Sequence, residues 1–455
     1  MGVGRRGIEE QSEFWVATEQ LGCGPRNAFY DKLNEVLAEA GFDRELEKAV
    51  EPYYASTGRK GVAPGVYFRM LFIGYFEDIS SQRGIAWRCE DSRSLARFLG
   101  YRPGEDTPDH STLTLTRNRL PLEIHSLAFE LVLAALQQHH LLKGKTIGVD
   151  ATDLEANASM KSIVRRDNGD DWRECLRKLY EEETGESDPD DDTLRRFDKR
   201  RKNKKVSNAE WTSSSDPASR IGKMKDGRTH LKYKAEHAVD LETQVIVAAE
   251  IYHGDVGDTQ TIEDTVYAAQ THLNEAETDC EIEEVVADKG YQSEDSLQRL
   301  QCESSWRTYI PEPARKTPRK WKNKPVENEW AYRRNRRNTL SKRGRQLQRE
   351  RSEKVERSFA HTCNTGGARR TWLRGLEKVQ KRYMSVAMAF NLGRIMRKLT
   401  GAGKPRYLSV LAARLCLAHL HIHSLLQSLN AASTFIVKHQ SHKKQTQSIS
   451  ILLAA

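Results

Sequence analysis

Near Lys145 the apolar pattern of this chain changes period, and that change constrains its fold more than any other feature of its 455 residues. Before it, apolar residues recur at helical spacing, as in Phe29-Tyr-Asp-Lys-Leu-Asn-Glu-Val-Leu37 and Val66-Tyr-Phe-Arg-Met-Leu-Phe-Ile-Gly-Tyr-Phe76. A Gly and Pro cluster at Gly58 to Gly65 separates the two blocks. After it, Ile147 and Val149 alternate with Gly148 and Asp150, the period of a strand. Tyr233 to Asp240 and Val245 to Tyr252 read as a hairpin. A helix at Thr259 to Ala276 leads into a strand ending at Asp288, and a helix at Glu294 to Gln301 into a strand at Arg307 to Ile310, stopped by Pro311. This order predicts an α/β fold: an RNase H-like mixed sheet flanked by helices, behind an N-terminal all-helical domain. The bounds are 1–143 for the helical domain, 144–400 for the core and 401–455 for a helical or disordered tail. Residues of about 156–228 form an insertion after the first strand, too long for a plain loop and so predicted to be helical.

Charge is distributed unevenly. The net formal charge is +9, yet residues 315–351 hold fifteen Lys or Arg against three Glu, an excess larger than that of the whole chain. Trp321, Trp330 and Tyr332 lie among these cations, the mix of phosphate contacts and stacking surfaces that nucleic acid uses. Within it Arg333, Arg334, Arg336 and Arg337 are candidate DNA contacts; a solvated charged linker is the alternative. Inside the insertion, an acidic run at Glu181 to Asp192 precedes a basic run at Arg195 to Lys205. Earlier, a short helix at Ser92 to Leu99, ended by Gly100, precedes a second helix capped by Asp109 or Ser111 and bearing Arg117 and Arg119. That reads as a helix-turn-helix, with an ordinary helical bundle as the alternative. The N-terminus lacks the apolar stretch of a secretory signal, no run of 18 apolar residues occurs, and the seven cysteines are scattered singly. These features predict a cytoplasmic chain with reduced thiols.

Two carboxylates end two predicted strands, Asp150 and Asp288, and a third lies on a helix downstream. Phosphoryl transfer needs an attacking oxygen activated and a leaving oxygen neutralised, and two divalent cations held by convergent carboxylates do both. Asp150 points away from the face of Ile147 and Val149, while Asp153 shares their face. Gly290 lets the backbone turn just past Asp288, at a strand's carboxyl end where open sheets place ligands. On the helix, Glu350, Glu353 and Glu356 recur at three-residue spacing. Val355 and Phe359 mark the buried stripe and Glu356 borders it, so Glu353 and Glu356 both remain candidates. Asp255 and Asp258 make a second acidic cluster, read as a cap before the helix at Thr259.

At these residues the chain resembles the DDE transposases of bacterial insertion sequences. The motifs are Glu51-Pro-Tyr-Tyr54, Gly65-Val-Tyr-Phe-Arg-Met70, Gly84-Ile-Ala-Trp-Arg-Cys89, Thr107-Pro-Asp-His-Ser-Thr-Leu113, Gly144-Lys-Thr-Ile-Gly-Val-Asp-Ala-Thr152, Leu154-Glu-Ala-Asn157, Val286-Ala-Asp-Lys-Gly-Tyr291 and Val355-Glu-Arg-Ser-Phe-Ala-His361, then Gly366-Gly and Leu373-Arg-Gly375. They span roughly residues 10 to 400. The resemblance implies a catalytic and metal-binding triad of Asp150, Asp288 and Glu356, holding two Mg2+ ions with Mn2+ as the substitute. It implies that the helical domain binds terminal inverted repeats, and that one site cleaves DNA and then joins the freed 3′ hydroxyl to a target. Partners are double-stranded DNA, as transposon ends and target, and a second copy of the chain as a homodimer; no membrane is implied. Lys289 and Tyr291 are candidate phosphate contacts. Where relatives carry a Lys seven residues after the Glu, this chain has Cys363, which leaves Arg369, Arg370 or Lys378 as the replacement. A catalytically inactive DNA-binding regulator descended from a transposase is the alternative function.

Overall fold

Helices form first along the chain, as the apolar spacing requires: α1 (Ala28–Glu39), α2 (Phe42–Val50), α3 (Pro64–Phe76), α4 (Gln82–Asp91), α5 (Arg93–Phe98), α6 (His110–Arg119) and α7 (Leu122–Gln138). The computed structural model describes residues 27–408 except 56, 58–60, 203–206 and 316–318, together with residue 422. Side chains at Asn27, Ser81, Ser92 and Asp109 cap α1, α4, α5 and α6 by accepting backbone N–H bonds. α3 is apolar on every side and buried on nearly all, so it is the core helix of this block. Buried Arg69 on α3 is held by a two-pronged bond to Asp43, at 2.5 and 2.7 Å, and by Asn34. Residues 99–109 separate α5 from α6, longer than the turn of about three to four residues in a helix-turn-helix. The block is therefore the helical bundle.

The mixed sheet follows. β1 (Thr146–Glu155) pairs antiparallel with β5 (Thr229–Asp240), and β5 pairs with β6 (Ile246–His253). On its other edge β1 pairs in parallel with β7 (Glu284–Val286), which pairs in parallel with β8 (Arg307–Tyr309). The strand order is thus β6-β5-β1-β7-β8, three antiparallel strands joined to two parallel ones, as the RNase H-like reading expects. Helix α10 (Asp258–Glu275) connects β6 to β7, and α11 (Glu294–Gln298) with a following π turn connects β7 to β8. The basic segment is no linker. It forms α12 (Val326–Leu340) and most of α13 (Lys342–Phe359), and α14 (Leu376–Thr400) follows.

The insertion after β1 is only partly helical. Alongside α8 (Trp172–Thr184) and α9 (Asp191–Arg200) it contains a small sheet of β2 (Ile163–Arg165) and β3 (Trp211–Ser213), and β4 (Arg220–Lys223) then extends the main sheet beside β5. The helical block packs in the same compact unit as the sheet, residues 1–395: α7 meets α10 through Phe129 on His272 and a 2.9 Å bond from His272 to Glu130. Most of the second unit, 396–455, and with it most of the expected tail, lies outside the described residues. Among the described residues no single helix is long and apolar enough to cross a membrane.

Candidate active site

Two parallel strands lying side by side bring Asp150 near Asp288, but Asp150 does not end its strand as expected: β1 runs on to Glu155, because its pairing with β5 continues past Asp150, while Asp288 follows the end of β7. Gly148 of β1 lies opposite Val286 of β7, so two residues further on the two aspartates follow on the same sheet face. Helix α13 covers that face. A Cβ at Gly148 would fall 2.5 Å from Leu241 and 3.0 Å from Val355, so glycine is what lets the helix settle beside Asp150. Burial pushes the Asp150 carboxyl up; the Arg351 guanidinium opposes this and the nearby Asp288 adds to it. Asp288 stands two residues past the end of β7, where its Oδ1 accepts the N–H of Gly290 at 2.7 Å and caps a 3-10 turn, Lys289–Tyr291. A Cβ at Gly290 would meet Asp258 at 2.9 Å and Asp288 at 3.0 Å, so that turn also needs glycine.

Arg351 was not foreseen. Its Nη1 donates to Asp150 Oδ2 at 2.7 Å, while Asp150 Oδ1 accepts the N–H of Ala151 at 2.9 Å. The guanidinium is buried and its Nε has no hydrogen-bond partner. Its place four residues before Val355, on the buried stripe of α13, was the available signal. Arg351 and a cation compete for one carboxylate. We expect Arg351→Gln to destabilise the metal-free chain by about 1–3 kcal/mol and so lower its melting temperature, since it strands a half-buried carboxylate. Added Mg2+ or Mn2+ should then raise that temperature more than in the unaltered chain; an equal or smaller rise refutes the competition.

Glu356 is exposed on α13. The helix crosses the sheet, with Gln348 bonding to the carbonyls of Ala287 and Tyr309, Arg351 to Asp150, and Ser358 to His237. About 100° round from Val355 on one side, Lys354 donates to the Leu241 carbonyl, at the end where β1 begins. Glu356 lies about 100° round from Val355 on the other side of the helix from Lys354. Glu353 points away and pairs with Arg357 at 2.6 Å in solvent. Among the described residues no three His, Cys, Asp or Glu side chains are gathered closely enough to hold a metal ion. The donors nevertheless suit a hard divalent cation: Mg2+ takes one or two carboxylates and keeps water or phosphate oxygens elsewhere. Asp150 and Asp288 supply those two, and Glu356 is exposed on α13.

A second network, also unforeseen, lies on the opposite face of the sheet. Fully buried Glu236 on β5 takes bonds from Lys234 at 3.1 Å, Thr261 at 2.7 Å and Tyr291 at 3.0 Å, and Lys234 also pairs with Asp258 at 2.7 Å. Burial pushes the Glu236 carboxyl up, against the pull of Lys234. Tyr291 ends the turn that Asp288 caps, so this network fixes the floor of the site. Asp258 thus serves as an ion-pair partner in the first turn of α10, and Asp255 faces Arg220 at 3.5 Å. Asp153 bonds Lys232 on the same opposite face.

The predicted DNA contacts are scattered. Arg369 donates to Thr152 Oγ1 at 2.9 Å, which places it two residues beyond Asp150 on the same face, while Cys363 is buried against Tyr383. Arg370 stacks on exposed Trp372, and Lys289 and Lys378 are exposed. On α12, Arg333 pairs with Glu329, Arg334 stacks on Trp330, Arg336 faces Glu312, and Arg337 is exposed. Arg119 stacks on Tyr54; Arg117 is 7% exposed and lines a partly open cavity.

Two family models match the chain. One, described as Transposase domain (DUF772), matches residues 20–119 and takes in most of the helical block. The other, described as Transposase DDE domain, matches residues 190–392, from the insertion through β5–β8 to α14. No curated protein and no solved structure compared with the chain matches it.

Proposed function

Because the chain belongs to the DDE transposases of insertion sequences, a family of DNA-cutting enzymes, we propose that it binds the terminal inverted repeats of its element, cleaves there and transfers the freed strand to target DNA. The observation that carries the proposal is the nearness of Asp150, midway along β1, to Asp288, two residues past the end of β7, where the Asp288 charge pushes the Asp150 carboxyl up. We assign end recognition to residues 1–143 and the chemistry to 144–400. Asp150, Asp288 and Glu356 would hold the divalent ions, Mg2+ by the hardness of three carboxylates, with Mn2+ as its substitute. Bound there, such ions supply the charge that activates an attacking oxygen and neutralises a leaving one.

The chain's own groups do the rest. Arg351 pairs with half-buried Asp150 and opposes the upward push of burial on its carboxyl. Arg369, held over the same face by Thr152, is positioned to bind a DNA phosphate, in the role that Cys363 cannot take. Lys289 adds a second cation on the exposed rim. Action on two ends calls for two copies of the chain.

The third carboxylate has a direct test. Glu356→Gln should lower metal-dependent cleavage of element-end DNA by on the order of a hundredfold or more, as loss of a charge-stabilising group does. Glu353→Gln removes only a solvent ion pair and should leave cleavage within about twofold. The reverse pattern moves the third ligand to Glu353. End binding by the unaltered chain, with no cleavage in Mg2+ or Mn2+, favours the regulator reading.

A further inference from the structure

Between α3, α4 and α6 on one side and α14 with the loop before it on the other lies a cavity of about 430 Å³ that the chemistry above does not use. One part of its wall is cationic. Arg117 of α6, 7% exposed, has an Nε with no hydrogen-bond partner. Arg382 of α14 also lines the space; its guanidinium bonds only backbone carbonyls, those of Arg370 and Gly367, at 3.2 and 3.0 Å. The Nε2 of Gln82 is a third buried donor without a partner, although its Oε1 accepts from Thr114 at 2.9 Å.

No carboxylate lies within ion-pair distance of either guanidinium among the described residues. Burial and the charge of Arg117 together push Arg382 down to about 10, a direction that marks a cation lacking a counter-charge. The acids at the start of α6 and in the first turn of α14 are committed elsewhere: Asp109 to His110 and the N–H of Ser111, and Glu377 to Lys381. Buried Arg117 with a spare donor, beside half-buried Arg382 whose charge repels it, is unfavourable unless an anion joins them. The rest of the wall is mixed: Tyr67, Leu71, Ile85, Val386 and half-exposed Trp372 give it an apolar and aromatic part, and Ser80, Ser81, Arg83, His110 and Ser385 a polar one. A phosphate alone fills a small part of such a space, whose size and lining suit an organic ligand with one charged group.

We propose that this cavity binds a nucleoside phosphate, its phosphate between Arg117, Arg382 and Gln82 and its base against the aromatic wall. The phosphate has two sources: a free mononucleotide, or the 5′-terminal nucleotide of a DNA strand. Only the second rests on the DNA-cutting function proposed above.

The test uses the full chain in EDTA, so that the outcome is independent of metal-dependent cleavage. Titration calorimetry and thermal melting are run with AMP, adenosine, inorganic phosphate, and one short oligonucleotide with and without a 5′ phosphate. AMP or the 5′-phosphorylated oligonucleotide should bind one to one and raise the melting temperature. Adenosine and the unphosphorylated strand should not, and inorganic phosphate should displace the ligand. Binding of AMP assigns the free nucleotide; binding of the phosphorylated strand alone assigns the DNA end. Arg117→Gln and Arg382→Gln should each weaken binding by about tenfold or more, the loss expected of a hydrogen bond to a charged group. Arg382→Lys and Gln82→Ala carry the test if either of those variants fails to fold. Absence of binding by both phosphorylated probes, failure of phosphate to compete, or unchanged affinity in the folded variants overturns the proposal.

Discussion

Asp288→Asn is expected to abolish cleavage of element-end DNA, with a loss on the order of a thousandfold, while leaving the fold and end binding intact. The separation follows from what each oxygen of Asp288 does. Its Oδ1 accepts the Gly290 N–H and caps the turn that carries Tyr291 into the buried network. An asparagine keeps that acceptor, so the turn should survive; the substitution removes only the negative charge. That charge acts on Asp150 next to it, and without it the pair can no longer offer two anionic carboxylates to a cation. A cleavage assay with Mg2+, run beside end binding in EDTA and a thermal melt, checks both halves. Retained cleavage removes Asp288 from the site, whereas loss of end binding or of folding together with cleavage would show that the residue acts through structure.

How far the sequence could be read depended on whether the needed contacts were periodic. The nearness of Asp150 and Asp288 was legible because strand alternation fixes a face and parallel pairing of β1 with β7 sets the register, although β1 runs on past Asp150 to Glu155. Even so, β7 stops at Val286 and the carboxylate comes from a capped turn beyond it, a detail that three paired residues cannot signal. The basic segment was read from its charge and so as a DNA surface or a linker. Much of that charge is paired with acids remote in sequence: Arg319 and Lys324 with Glu294, Arg343 with Glu284, Arg351 with Asp150. Pairings of that range leave no local pattern. The insertion was read as helical from its length alone; the apolar residues that build its small sheet, Ile163 and Trp211 among them, are too few to establish a strand period.

Lys234→Met should destabilise the fold by about 3–5 kcal/mol, the penalty for leaving a buried charge without its partner. Alternation along β5 suggests that Lys234 and Glu236 face water, but α10 covers their face and both are buried. Without Lys234, Glu236 keeps the bonds from Thr261 and Tyr291 but loses its cation. The sign of the pH dependence follows. Burial already raises the Glu236 carboxyl above its ordinary 4.5, and removing Lys234 raises it further. Above that ordinary value the folded state then holds a proton that the unfolded state releases, so stability falls as pH rises. Denaturant melts should therefore show a smaller deficit at about pH 5 than at about pH 7, and Lys234→Met combined with Glu236→Gln should recover much of it. A deficit that is independent of pH, or a double variant no better than the single one, would mean that Lys234 acts through packing or through Asp258. Because Tyr291 links Glu236 to the turn of Asp288, the single variant should also lower cleavage even where the chain remains folded.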